Sequence, residues 1–409
     1  MKITKIKKPS YGPEFFGLTE NGEEVLIPFT AIGEVWDVKP LKGKVYKPIK
    51  PVKLNERDRR NPPCDYFPLC FNCQWMHLKP QTQTAYKVKL FEELLGFKPE
   101  RVLTSPSELS YRVRVFLYHG EGKLGFRKSW IFNPSRPLLE IDGCPLLPES
   151  LNQRLTSLRE FKFPGNLWGV ELLLNPQSGE IFTKLLFLKG GFNFTTAVSL
   201  AKEIPTDGVG IYVGEYRHWE KIQVLGKWET KITLKGYTYR FSPDCFLQPN
   251  YLLWEEFLNL VKPLESHEKA LELHAGIGFF TLPLSEWTSE METSDLNCES
   301  SRYRNLNLKE NKITNVKSLC LDALKHAKRV KKLDLLIVDP PRGGLIKPLV
   351  QTILERKPEE IIYISCNLLS LKRDLEELKR FYRVESSALV DQFPNTYHTE
   401  SVVWLKLKI

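Results

Sequence analysis

From Ser242 onward, short apolar runs alternate with amphipathic stretches: KALELHAGIGFFTLPL, METSDLNCESSRYRNLNLKEN, VKSLCLDAL, KLDLLIVDPPRGG and EEIIYISCN. Strands that are apolar throughout and separated by helices predict a parallel, doubly wound α/β sheet of Rossmann type. The last segment, ESVVWLKLKI, reads as a strand whose alternation suits a sheet edge. The N-terminal stretch is patterned differently. ITKIKK, PEFFGLTENGEEVLIPF and GEVWDVKPLKGKVYKPI alternate apolar with polar residues between Gly, Pro and Asn breaks. That pattern predicts a small five-stranded β-barrel of the oligonucleotide-binding sort. Between the two, YRVRVFLYH, VELLLN, GEIFTKLLFLKG and KITLKGYTYRFS predict strands, and FNFTTAVSLAKEI a helix, which makes the centre an α+β region. The expected domains are 1–54, 55–240 and 241–409, with the polar KLNERDRRNPPC entering the second.

Length and charge narrow the class. A chain of 409 residues exceeds one ordinary core. No apolar run of about 18 residues is present to cross a bilayer. The start, MKITKIKKPSYG, has no apolar stretch of a secretory signal, so the cytoplasm is expected. The formal charge is +10. Such an excess suits a polyanionic partner, and equally a solvated Lys/Glu-rich surface. Lys2, Lys5, Lys7, Lys8, Lys39, Lys42, Lys44, Lys47 and Lys50 stud the barrel, as an RNA grip or as a solvated β module. Arg112, Arg114, Phe126 and Arg127 of the centre likewise read as contacts to RNA backbone and bases or as a solvated strand face.

Candidate chemistry gathers at strand ends. LELHAGIGFF closes a strand with Gly276 and Gly278 before a helix, so a ligand can approach the backbone and the helix N–H groups. Asp295, Asp322 and Asp339 each end a successive strand, on the ligand side of such a sheet. Each is also placed to cap the following helix. Cys366 in YISCN ends another strand before a helix, where a helix N-terminus favours the thiolate. A buried, inert cysteine is the other reading. Glu400 in HTES precedes the final strand, where a carboxylate is either solvated or a base. Eight cysteines are present, and Cys64, Cys70 and Cys73 lie within ten residues of one another. Clusters of this kind in cytosolic proteins are more often metal ligands than disulfides.

Taken together, FSPDCFLQPN, VDPPRGGL, YISCN and HTES, in that order, resemble the class I RNA (uracil-5-)-methyltransferases that carry an iron–sulfur cluster. The resemblance covers nearly the whole chain. It implies S-adenosylmethionine as cofactor, contacted by Gln248, His274, Gly276, Asp295, Asp322 and Asp339. It further implies Cys366 as nucleophile on a uracil and Glu400 as proton acceptor. CDYFPLCFNCQ and EIDGCPLL supply Cys64, Cys70, Cys73 and Cys144, similar to the four cysteines that hold a 4Fe–4S cluster in this family. A zinc site is the local alternative, although zinc ligands usually come in two close pairs. Two departures stand out. The family loop usually reads D-L-Y-C-G-x-G, so His274 stands at a tyrosine position, and Asp295 replaces a frequent glutamate.

The expected function is methylation of carbon 5 of a uridine in RNA by a monomeric enzyme, with 23S ribosomal RNA favoured and transfer RNA the alternative. An RNA cytosine-5 methyltransferase shares the thiolate logic, but normally places a second cysteine near its Pro-rich motif, and DPPRGG has none. A non-catalytic RNA-binding or redox-sensing iron–sulfur protein is the rival from another class, and the intact DPP, SCN and HTE set argues against it.

Overall fold

The computed structural model describes residues 2–131, 135–215 and 218–408. In chain order, β1 (Lys2–Pro9), β2 (Glu14–Thr19), β3 (Glu24–Pro28), β4 (Val35–Lys42) and β5 (Val45–Lys53) are followed by α1 (Pro80–Leu95) and β6 (Arg101–Leu103). Next come β7 (Arg114–Gly120), β8 (Lys123–Arg127), β9 (Leu138–Leu139), α2 (Glu149–Leu158), β10 (Leu167–Leu174), β11 (Ile181–Leu188), α3 (Phe194–Glu203), β12 (Gly208–Glu215) and β13 (His218–Gly226). A hairpin, β14 (Thr230–Leu234) and β15 (Tyr237–Phe241), leads through α4 (Trp254–Leu260) to β16 (His267–Leu273), α5 (Thr281–Leu284), β17 (Thr288–Asp295), α6 (Cys298–Glu310), β18 (Val316–Cys320) and α7 (Ala323–Arg329). The chain finishes with β19 (Leu335–Val338), α8 (Lys347–Arg356), β20 (Glu360–Ser365), α9 (Leu368–Leu378), β21 (Tyr382–Val390) and β22 (Glu400–Leu407). No helix among the described residues is long and apolar enough to cross a membrane.

By internal packing the chain forms two compact units. The first comprises Met1–Leu90, Ser107–Trp228 and Phe393–Tyr397. Its N-terminal strands close into the expected barrel, in the order β1-β2-β3-β5-β4. Ile6, Phe15, Val25, Ile27 and Val38 fill it, because every second side chain points inward. Glu34, fully buried, survives there because Arg59 pairs with it and Trp36 Nε1 donates to it at 2.8 Å. The same unit holds a seven-stranded sheet, β13-β12-β11-β10-β7-β8-β9, with α2 and α3 packed on it through Leu151, Leu155, Leu158, Ala197 and Leu200. One excursion of the chain had no sequence signal. Asn395, from far downstream, accepts backbone N–H groups of Gln74 and Trp75 at 3.0 Å each and donates to the Glu108 carbonyl at 2.9 Å.

The second unit comprises Phe91–Pro106, Glu229–Gln392 and His398–Ile409. Its sheet has the order β18-β17-β16-β19-β20-β22-β21-β6. The first five strands of that order are parallel, as the apolar runs predict. The last strand departs from expectation. β22 is not an edge: it runs antiparallel between β20 and β21 and is buried over Glu400–Leu405. Its polar positions at Glu400 and Ser401 mimic surface alternation, but both are covered. The short β6, contributed from much earlier in the chain, lies parallel beside β21.

The centre of this sheet is apolar on both faces. Leu336 on β19 is fully buried, so Leu336→Ala is expected to cost about 2–5 kcal/mol through a cavity that close-packed neighbours cannot refill. Denaturant unfolding checks this, and a loss below about 1 kcal/mol would mean that the strand pair repacks.

Candidate active site and cysteine cavity

Strand register alone assembles the catalytic edge of the second unit. Leu273 pairs with Val338 and with Ser294, and Val338 pairs with Tyr363. The next residues, His274, Asp339 and Asp295, therefore leave adjacent strands at the same end. On the antiparallel side Ser365 pairs with Ser401. One step further along each strand sets Cys366 opposite Glu400.

The turn after β16 is shaped for a ligand. His274 takes a positive φ of 62°, and its buried Nδ1 has no hydrogen-bond partner among the described residues. Burial pushes this imidazole below its ordinary value, so it is neutral. Gly278 also has positive φ, 88°, and a Cβ there would lie 3.0 Å from both Arg304 and Leu282. Asp295 closes the turn by accepting the Gly276 N–H at 2.9 Å, while its second oxygen accepts that of Asn297 at 2.7 Å. Asp322, in contrast, caps α7 by accepting the Lys325 N–H at 3.0 Å, the capping role that its position also allowed. Gln248 donates to Asp339 at 3.5 Å and accepts from Gln392 at 2.9 Å.

The DPPRGGL loop after β19 is held from α9. Gly344 has φ of 72°, and any Cβ would meet Asp374 Oδ2 at 2.6 Å. That same oxygen accepts the Leu345 N–H at 2.8 Å, and Arg373 donates to the Gly343 and Leu345 carbonyls at 2.9 Å each. Asn367 caps α9 and ties it to the Arg342 carbonyl at 3.1 Å.

The electrostatics reverse one expectation. Cys366 does sit before a helix N-terminus, yet its thiol is pushed up to about 12, first by burial and then by the charges of Glu400 and Asp339. A helix terminus is worth about 0.3–1 kcal/mol, which those two effects outweigh. Asp339 rises to about 7 through burial and the nearby Asp295. Glu400 lies well above a normal carboxyl for want of water and because of Asp339, with Arg342 opposing the shift. Its buried Oε1 has no hydrogen-bond partner among the described residues. The edge thus gathers a thiol, two carboxyls of raised proton affinity and one arginine, a set suited to moving protons on and off a carbon or sulfur centre.

A strand-edge thiol, carboxyls of raised proton affinity and a glycine turn thus meet at one edge of the sheet. Residues 227–408 match a family model described as tRNA (Uracil-5-)-methyltransferase. An uncharacterized RNA methyltransferase of Aquifex aeolicus is 32% identical over 427 aligned residues, covering 100% of this chain and 99% of its own length. The chain belongs to the RNA (uracil-5-)-methyltransferase family. A tRNA (uracil(54)-C(5))-methyltransferase of Pyrococcus horikoshii is 27% identical, with 95% of this chain and 97% of that protein covered. A 23S rRNA (uracil(747)-C(5))-methyltransferase of Pyrococcus abyssi is 26% identical, with 94% and 95% covered. The crystal structure of a Pyrococcus abyssi tRNA (uracil-54, C5)-methyltransferase with S-adenosyl-L-homocysteine shares the fold, with a TM-score of 0.76, 24% identity and 99% and 100% of the chains covered.

In the first unit of the methyltransferase, Cys64, Cys70, Cys73 and Cys144 line one small pocket, together with Phe67, Met76, Phe126 and Ile141. None of the four is in a disulfide. Burial pushes Cys70 up to about 12 and Cys144 to about 11. No three Cys, His, Asp or Glu side chains among the described residues converge closely enough to hold one metal ion. Arg112 is not the solvated strand residue that alternation allowed. Its Nε is buried with no hydrogen-bond partner among the described residues, and the charges of Cys73 and Cys144 act on it. Arg114 is paired with Glu171 at 2.6 Å, and Arg127 lies over the Tyr118 ring. Phe126 is buried rather than presented for stacking. The barrel lysines differ among themselves: Lys2 is tied to Glu23, and Lys8 lies over the Phe16 ring.

Three participants escaped the motifs. Gln392, which orients Gln248, sits in a segment without spacing signal. Arg304 reaches the Gly276 carbonyl at 2.7 Å and the Leu319 carbonyl at 2.9 Å, bracing the glycine turn. Cys298 and Cys320 form a disulfide across 22 residues, which no local pattern announces.

A carboxyl that is harder to ionise folded than unfolded stabilises the fold fully only below its unfolded value. For Asp339 that contribution fades as pH rises through about 7. We expect the ligand-free protein to lose melting temperature as pH climbs through this window, and Asp339→Asn to flatten the decline. Thermal melts across pH decide it, an unchanged slope in the variant arguing against Asp339 as the source.

Proposed function

We propose that this methyltransferase takes the methyl group of S-adenosylmethionine to carbon 5 of a uridine in RNA through a transient bond between Cys366 and the uracil. The observation that carries the reading is the register that sets Cys366 opposite Glu400 at the edge where His274, Asp295 and Asp339 also emerge. The cofactor, when bound, supplies an electrophilic methyl on a sulfonium cation. The residues present suit it. Asp295 would take the ribose hydroxyls, Gly276 leaves the backbone open, and the orphaned Nδ1 of His274 would gain a polar partner from the cofactor. Asp339, steadied by Gln248, would stand near the cation, with Asp322 at the far side of the adenosine.

Carbon 5 of uracil is a poor nucleophile. Once the thiol has given its proton to solvent, attack of the Cys366 thiolate on carbon 6 pushes electrons toward the ring carbonyl and makes carbon 5 reactive. After methylation carbon 5 still bears its proton. Glu400 would remove that proton, the carbon 5–carbon 6 double bond re-forms, and the sulfur leaves. A buried carboxylate of raised proton affinity is a stronger base than a solvated one, which suits a carbon acid. The uracil must leave its stack to meet both groups.

The four cysteines around one cavity fit a 4Fe–4S cluster. Their donors are all sulfur, and Arg112, whose charge acts with those of Cys73 and Cys144, would offset the negative charge that thiolate ligation brings. For the RNA, we favour 23S ribosomal RNA. Relatives named for a transfer RNA uridine and for a 23S uridine resemble the chain equally, so nucleoside mapping should include both. The excess of cations supports RNA of either kind.

Cys366→Ala should abolish both methyl transfer and covalent RNA capture, and survival of transfer would refute the nucleophile. Glu400→Gln should trap the adduct as an RNA–protein band on a denaturing gel. Replacing Cys70 by Ser should remove iron and acid-labile sulfide together from anaerobically purified protein; full retention of both would show that this cysteine is no ligand.

A further inference from the structure

Cys298 and Cys320 are joined by a disulfide with Cα atoms 5.0 Å apart, inside the range such a bond requires. Neither belongs to the four cysteines of the cavity, and neither is Cys366. Their place in the second unit is specific. Cys320 ends β18 directly across the ladder from Asp295, and Cys298 opens α6 three residues after Asp295. Two residues beyond Cys320 comes Asp322. The bond therefore ties together the two turns that present Asp295 and Asp322.

The disulfide adds a covalent tie to the β17–β18 ladder, which ends at the Asp295–Cys320 pair, and to Arg304, which donates to the Ser301 hydroxyl and the Leu319 carbonyl. Leu321 N–H donates to the Asp295 carbonyl at 3.1 Å, and Ser301 Oγ bridges the Asp295 and Leu319 carbonyls at 3.4 and 3.3 Å. Leu296, between Asp295 and the disulfide, is 74% exposed, although it is a large apolar side chain on the rim of this turn. Both cysteines are exposed, so a dissolved thiol can reach either sulfur. An exposed disulfide is the kind that exchanges readily.

We propose that Cys298–Cys320 is a thiol–disulfide site that sets how tightly the adenosine half of the cofactor is held. This rests on the cofactor reading above, but not on the RNA, the cluster or the covalent adduct. In the oxidised state the two turns are ordered before binding, so less freedom is lost when a ligand arrives. Reduction by a dithiol proceeds by attack of one reductant thiolate on a cysteine sulfur, breaking the S–S bond and forming a mixed disulfide. That attack releases the other cysteine, and the second reductant thiol then attacks the reductant's own sulfur in the mixed disulfide and releases the cysteine first attacked. Two electrons and two protons end on Cys298 and Cys320, and the reductant departs as its own disulfide. A small-molecule disulfide drives the reverse reaction and takes the two electrons back.

The test is calorimetric titration of the full-length protein with S-adenosylhomocysteine, before and after dithiol reduction, with the bond state read by peptide mass spectrometry. Reduction should weaken binding severalfold, and reoxidation should restore it. The double variant Cys298→Ser, Cys320→Ser should match the reduced protein and ignore reductant, which also separates this bond from any effect of reductant on other cysteines. A lower melting temperature with unchanged affinity would make the bond a structural staple and overturn the proposal. So would a response that persists in the double variant, or peptides that are unlinked in the oxidised protein. Failure to bind in either state would instead remove the cofactor reading itself, and this proposal with it.

Discussion

The chemistry of the second unit depends on one structural constraint, the antiparallel insertion of β22 between β20 and β21. Parallel strands all end at the same edge, which collects His274, Asp295, Asp339 and Cys366. A further parallel strand would have delivered its first residue to the opposite edge. Because β22 runs backwards, its first residue, Glu400, arrives where the others end. Backbone hydrogen bonds on both sides then lock its position, and a slip of one residue would turn Glu400 to the other face of the sheet.

Burial at that edge sets the charge state. A thiol beside a helix N-terminus would ordinarily ionise more easily, but desolvation and two neighbouring carboxyls push Cys366 the other way. The carboxyls are raised in turn because each is near another acid and away from water. In the ligand-free edge the ionisation of one of these groups disfavours that of its neighbours, and Arg342 is a cation that acts on both Cys366 and Glu400. A cationic ligand beside Asp339 would oppose that effect. Electrostatics of this kind come from packing and cannot be assigned to any one residue type.

The first unit shows the same dependence of chemistry on surroundings. Its four cysteines line one pocket, and desolvation raises each thiol, while the charges of Cys73 and Cys144 act on Arg112, whose Nε has no hydrogen-bond partner among the described residues. Arg112 stands just before β7, where the sequence left both an RNA contact and a solvated face open. Its Nε is buried, and Arg114 two residues along is paired with Glu171.

Much of the architecture was legible in the chain. The switch from period-two alternation to apolar runs with intervening helices is a direct consequence of which strand faces are buried, so barrel and parallel sheet could both be read from it. Motif residues at strand ends could likewise be located, since a strand that leads into a turn is a local event. What the chain could not disclose is anything set by distant segments. That β22 is internal was decided by β21 and β6, and β6 comes from residues 101–103. The grip of Asn395 on Gln74 and Trp75, the Cys298–Cys320 bond and the raised Cys366 thiol likewise arise between residues far apart in sequence. Local patterning determines which elements form and which residues stand at their ends. Only the tertiary structure decides which of those ends meet, and how much water is left between them.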